Sequence, residues 1–145
     1  MEIRPYQIIL WVSIRVGTAV SRPFPAILDV GHSLNFSIKE EQLRDWAGIL
    51  HSALKEIGRT TLNNRPVFLS RAGVGLHRNL KGHRDELLAT PPVPLELPEG
   101  IVVHPRDDLL SPRLPLLGLR ALVHNRLKAI IDGRKLAVSI NKGFF

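Results

Sequence analysis

Pro25-Ala26-Ile27-Leu28-Asp29-Val30-Gly31-His32-Ser33-Leu34-Asn35-Phe36-Ser37-Ile38 reads as an apolar strand that carries one carboxylate into a glycine-containing turn, followed by a second strand. Ala26, Ile27 and Leu28 form a continuous apolar run, the composition of a strand covered on both faces. Asp29 ends that run, and Gly31 lets the backbone reverse. Past the turn, Leu34, Phe36 and Ile38 alternate with Asn35 and Ser37, the period of two expected for a half-buried strand. A carboxylate at the end of a buried strand is costly unless its setting compensates it. Turn chemistry is the plain explanation, because an aspartate can accept bonds from amides two residues on. The rest of the chain decides whether Asp29 is more than that.

Upstream, Ile8, Leu10, Val12, Ile14 and Val16 fall on alternate positions, a strand with one strong apolar face. Gly17 to Pro25 reads as the connection that brings the Asp29 strand back beside it. Downstream, Ser37 and Glu40 fit a capping box. Leu43, Trp46, Ile49, Leu50, Ala53, Leu54 and Ile57 then follow at helical spacing, with Gly58 as the stop, so a long helix is expected there, with Trp46 and the leucines in the core. Thr60 to Leu62 and Pro66 to Leu69 flank Asn63-Asn64 as a hairpin, and Val74 and Leu76 continue as a strand. His77 to Pro94 and Pro105 to Pro112 read as exposed loops, on either side of a Pro98-Glu99-Gly100 turn and a strand at Ile101 to Val103. Leu116-Leu117-Gly118 closes a second apolar run. A short helix from Leu119 to Leu127 follows, with Leu119, Leu122 and Val123 on one side. Leu127 to Ile131 and Leu136 to Ile140 form a hairpin around Asp132-Gly133, which explains Asp132 as a turn residue.

The 145 residues, 44% of them hydrophobic, suit a single domain over 1–145. With no cysteine there is neither disulfide nor thiolate zinc site, and a reducing, cytoplasmic setting is expected. Ile8 to Val12 is too short for a signal-peptide core, and no apolar run approaches bilayer length, so no membrane partner is expected. The net charge of +7 is spread along the chain without interleaved aromatics, which argues for a basic soluble surface and against a nucleic-acid platform. The six histidines show no tight ligand spacing; His77 and His83 share a loop without a matched carboxylate. Gly73-Val74-Gly75 lacks the third glycine and the following helix of a phosphate loop, and there is no serine elbow. Neither metal nor cofactor is expected.

Taken together, the strand ending in Asp29-Val30-Gly31, the later Leu116-Leu117-Gly118, the short helix and the closing hairpin resemble the retropepsin-like (retroviral-type) aspartic protease family, in order from Ile8 to Ile140. The resemblance implies a mainly β acid-protease barrel with one longer helix after the Asp-x-Gly strand and a short helix near the C-terminus; α+β is the alternative. It implies Asp29 as the catalytic residue, Val30, Gly31 and His32 as the active-site turn, and Leu116, Leu117 and Gly118 as the supporting strand. It also implies a homodimer that supplies two aspartates to a peptide or protein substrate, with the Thr60 to Leu76 segment as a flap. Two positions depart from the family. Val30 stands where a threonine or serine hydroxyl ties the two turns together, and His32 replaces a small residue. An imidazolium at 32 would lower the pKa of the carboxylate pair. The competing reading is a binding or scaffold module that keeps the fold and has lost turnover; nucleic-acid binding rests on net charge alone.

Overall fold

The computed structural model describes residues 2–4, 7–62, 64–78, 91–105, 113–135 and 137–142. Asn63, His83, Leu136 and most of the two expected loops lie outside the described residues. In chain order come β1 (Glu2–Arg4), β2 (Gln7–Val16), β3 (Ala19–Val20), β4 (Phe24–Asp29) and β5 (Phe36–Lys39). Helix α1 (Glu40–Ala47) and a 3-10 turn (His51–Ala53) follow, then β6 (Glu56–Leu62), β7 (Arg65–Ser70), β8 (Gly73–His77), β9 (Val93–Leu95) and β10 (Ile101–His104). The chain closes with β11 (Leu116–Gly118), α2 (Leu119–His124), β12 (Leu127–Asp132) and β13 (Ala137–Lys142). The protein is mainly β.

One sheet runs in the order β6-β7-β10-β5-β11-β4-β2-β8-β9, with β1 and β3 also paired to β2. Among the described residues this path is open, so the expected barrel is not closed. Its two ends show why. β9 carries Pro94, which has no amide to offer a further strand. At the other end β6 alternates exposed and half-covered residues along its length, the marks of an unpartnered edge. β12 and β13 form a separate two-stranded sheet, registered from Leu127↔Lys142 to Asp132↔Ala137.

The core gathers Leu10, Val12 and Ile14 of β2, Ala26 and Leu28 of β4, Phe36 and Ile38 of β5, Leu43 of α1 and Leu117 of β11. β5 is not half-buried as its alternation suggests. Ser37 is as buried as Phe36 and Ile38: β5 is an interior strand between β10 and β11, and the buried His32 lies against the Ser37 hydroxyl.

The long helix is the main correction. α1 stops at Ala47, where Gly48 takes the left-handed conformation at φ 68. The amides of Gly48 and Ile49 return to the carbonyls of Arg44 (3.1 Å) and Leu43 (3.0 Å). A glycine free to adopt positive φ ends the helix ten residues before Gly58, and Gly58 itself lies in β6. Ser37 is not the cap either. The Lys39 amide donates to the side-chain oxygen of Gln42 (3.1 Å), and Ser37 stays in β5. Trp46 is 38% exposed and leans on Phe24 at the margin of the core (6.2 Å between rings), while Leu50 is exposed. Two further expectations shift. Val93 and Pro94, assigned above to a loop, form β9 with Leu95 and pair with β8. In α2 it is Ala121 and Leu122 that are buried, with Leu119 and Val123 outside. No described helix is long and apolar enough to cross a membrane.

Candidate active site

Asp29 is the last residue of β4, an antiparallel neighbour of β2. Its carboxylate Oδ1 accepts the amide of Gly31 (2.9 Å), and its carbonyl accepts the amide of His32 (3.1 Å). The aspartate thus caps its own turn, and the carboxylate is held at the mouth of the strand in a partly covered position. A Cβ at position 31 would come within 3.3 Å of Oδ1, so glycine keeps that oxygen uncrowded.

β4 and β5, consecutive in the chain, are not neighbours in the sheet. β11 lies between them, parallel to β4 and antiparallel to β5. Leu116, Leu117 and Gly118 face Ile27, Leu28 and Asp29 in register. The strand is stitched to both sides: Ile27 donates to the Pro115 carbonyl (2.8 Å), and Gly118 donates to the Asn35 carbonyl (2.9 Å). Any side chain at 118 would run into the carbonyl oxygens of Leu34 and His32. Only glycine lets the returning turn lie against β11.

His32 is buried behind the turn at 8% exposure, its Nε2 hydrogen-bonded to Ser37 Oγ (3.1 Å). Burial pushes its pKa below the ordinary value; the nearby Asp29 carboxylate raises it and His104 lowers it further. The imidazolium expected at this position is therefore disfavoured, because a buried ring favours its neutral form. Ser37, expected above as a helix cap, and His104 carry no signal in the sequence that ties them to this site. Ser37 meets His32 five residues along the same turn and strand, whereas His104 is brought by β10 lying parallel to β5, a long-range pairing that no local pattern announces.

Val30 projects outward with 63% of its surface exposed. No protein-family model, curated protein or solved structure matches this chain. The site therefore rests on its own geometry. Among the described residues no cluster of His, Asp and Glu could hold a metal ion. Asp132 accepts the amides of Arg134 (2.9 Å) and Lys135 (3.1 Å) and closes its hairpin.

Proposed function

We propose that this chain is a retropepsin-like aspartic peptidase working as a homodimer, with Asp29 of each copy at the two-fold axis. The observation that carries the reading is the threading of Leu116-Leu117-Gly118 between the strand that enters the Asp29 turn and the strand that leaves it, Gly118 in register with Asp29. That crossing holds a self-capped carboxylate at a solvent-facing edge beside an exposed apolar side chain, Val30. One carboxylate per chain calls for a second copy, and a two-fold dimer is the simplest closed way to provide it.

In such a pair two adjacent carboxylates cannot both ionise, so they share one proton. The ionised member takes a proton from water as the water oxygen bonds to the peptide carbonyl carbon, and the protonated member gives its proton to the carbonyl oxygen. Collapse of the tetrahedral diol breaks the C–N bond: the departing nitrogen takes a proton from the protonated carboxyl while a diol hydroxyl gives its proton to the ionised one, which restores the shared proton. The Gly31 amide orients the carboxylate, and His32, its charged form disfavoured by burial, packs beneath the turn. The β6–β7 hairpin, with Arg59 over the Phe68 ring (4.9 Å), would cover the substrate.

Cleavage of a mixed peptide library at mildly acidic pH tests this. Asp29→Asn is expected to abolish turnover, while Asp132→Asn leaves turnover in place and only loosens the last hairpin. Equal loss from both would mean that the catalytic turn is misassigned. The second reading, a module without turnover, is favoured by one observation: Val30 offers no hydroxyl at the position that would face the partner.

A further inference from the structure

A groove of about 670 Å³ opens where the root of the β6–β7 hairpin meets the end of β2, and neither Asp29 nor its turn lines it. Among the described residues Arg15, Lys55 and Arg71 line it together with a single carboxylate, Glu96. Arg15 reaches Glu96 at only 3.5 Å, and that carboxylate is 75% exposed. Such a pair contributes about 0–1 kcal/mol, so it leaves the guanidinium available to a better partner. Lys55 and Arg71 form no ion pair among the described residues. They sit side by side because the Arg71 amide donates to the Lys55 carbonyl (2.8 Å). Gly73 matters here: a Cβ would press on the Arg15 guanidinium at 3.2 Å, so the glycine lets that group lie along the backbone. The other wall is apolar, built from Val16, Ile57, Leu97 and Pro98.

We propose that this groove binds a small amphipathic anion, a phosphate or carboxylate head carried on a short apolar body. Three cations against one weakly held carboxylate supply the charge for the head, and the apolar wall takes the body. The volume falls within the range of about 300–1,000 Å³ usual for small-molecule sites. Among the described residues no Phe, Tyr or Trp lines the groove, and His124 at its rim is a single small ring, a poor platform for stacked nucleotides. A concave wall also suits a discrete ligand better than a flat lipid surface. Because Lys55 and Arg71 flank the base of the hairpin, an occupant would tie its two strands together at the root.

Calorimetric titration of the full chain with hexyl phosphate, inorganic phosphate and hexanol tests the proposal. Hexyl phosphate is expected to bind at least tenfold more tightly than either fragment. The Lys55→Glu/Arg71→Glu double variant should weaken it at least tenfold while melting as the parent does. Lys128→Glu/Arg134→Glu, an equal charge change at two residues that do not line the groove, should leave it unchanged. Failure of hexyl phosphate to bind, equal binding of inorganic phosphate, or an equal loss in both double variants would overturn the proposal. So would sedimentation with phosphatidylglycerol vesicles that only Lys55→Glu/Arg71→Glu abolishes, since the ligand would then be a lipid surface.

Discussion

At position 32 a histidine lies buried, bonded to Ser37, beneath the turn that carries Asp29. Its pKa in the folded chain is lowered from the ordinary 6.5, chiefly by burial. The unfolded chain therefore binds the extra proton more readily, and stability rises with pH across that interval. Above 6.5 the folded state bears no penalty at His32; as pH falls through 6.5 towards the lowered value, stability is lost. Urea unfolding midpoints measured between about pH 5 and about pH 7 should rise with pH, and His32→Asn should flatten that slope. An unchanged slope in the variant would remove His32 from the account. Position 30 offers a second test. A threonine there can donate and accept across the proposed axis, each bond contributing about 1 kcal/mol net. Val30→Thr is expected to lower the dimer dissociation constant and raise any cleavage rate. No gain in either would mean that residue 30 does not face a partner and would favour the non-catalytic reading.

Among the elements, β11 depends most sharply on a single residue. Gly118→Ala drives a methyl into two backbone carbonyls of the Asp29 turn, and backbone cannot retreat as a side-chain tip can. The expected loss is at or beyond the upper end of about 1–3 kcal/mol, read from the denaturant midpoint. Gly133→Ala, where a Cβ meets nothing within 4 Å, should stay within about 0.5 kcal/mol of the parent. The end of α1 gives a parallel pair. Gly48→Ala forces a left-handed alanine and should cost about 1 kcal/mol. Gly58→Ala meets only Leu69 at an ordinary 3.7 Å and should cost far less. These pairs also mark what was legible in the sequence. The strands β2 and β4, the hairpin turns and the Asp132 turn follow from local alternation and turn residues. The extent of α1 was not legible, because Ile49, Leu54 and Ile57 keep helical spacing while serving a loop and a strand. Its true stop, Gly48, is one glycine among eleven.

At the scale of the whole molecule, the sheet order was beyond local reading. β10 beside β5 and β11 between β4 and β5 are contacts across long stretches of chain, fixed by packing and not by neighbouring residues. The same limit applies to the site: Asp29, Gly31 and Gly118 can be picked out by type, whereas His104 comes to it only through the β5–β10 pairing. The surface keeps large apolar side chains outside at Val30, Leu119 and Val123, two of them on α2, which begins beside the Asp29 turn. A dimer that covers Val30 would place two Asp29 turns face to face. The chain has no cysteine of its own, so a single introduced thiol reports one position without interference. Val30→Cys, oxidised at micromolar concentration, measures that arrangement directly, because a disulfide requires Cα atoms about 4.4–6.8 Å apart. Near-complete conversion to a covalent dimer on a non-reducing gel is expected, with Val93→Cys, also at an exposed valine, remaining monomeric under the same conditions. A Val30→Cys chain that stays monomeric, or crosslinks no better than Val93→Cys, would contradict that arrangement.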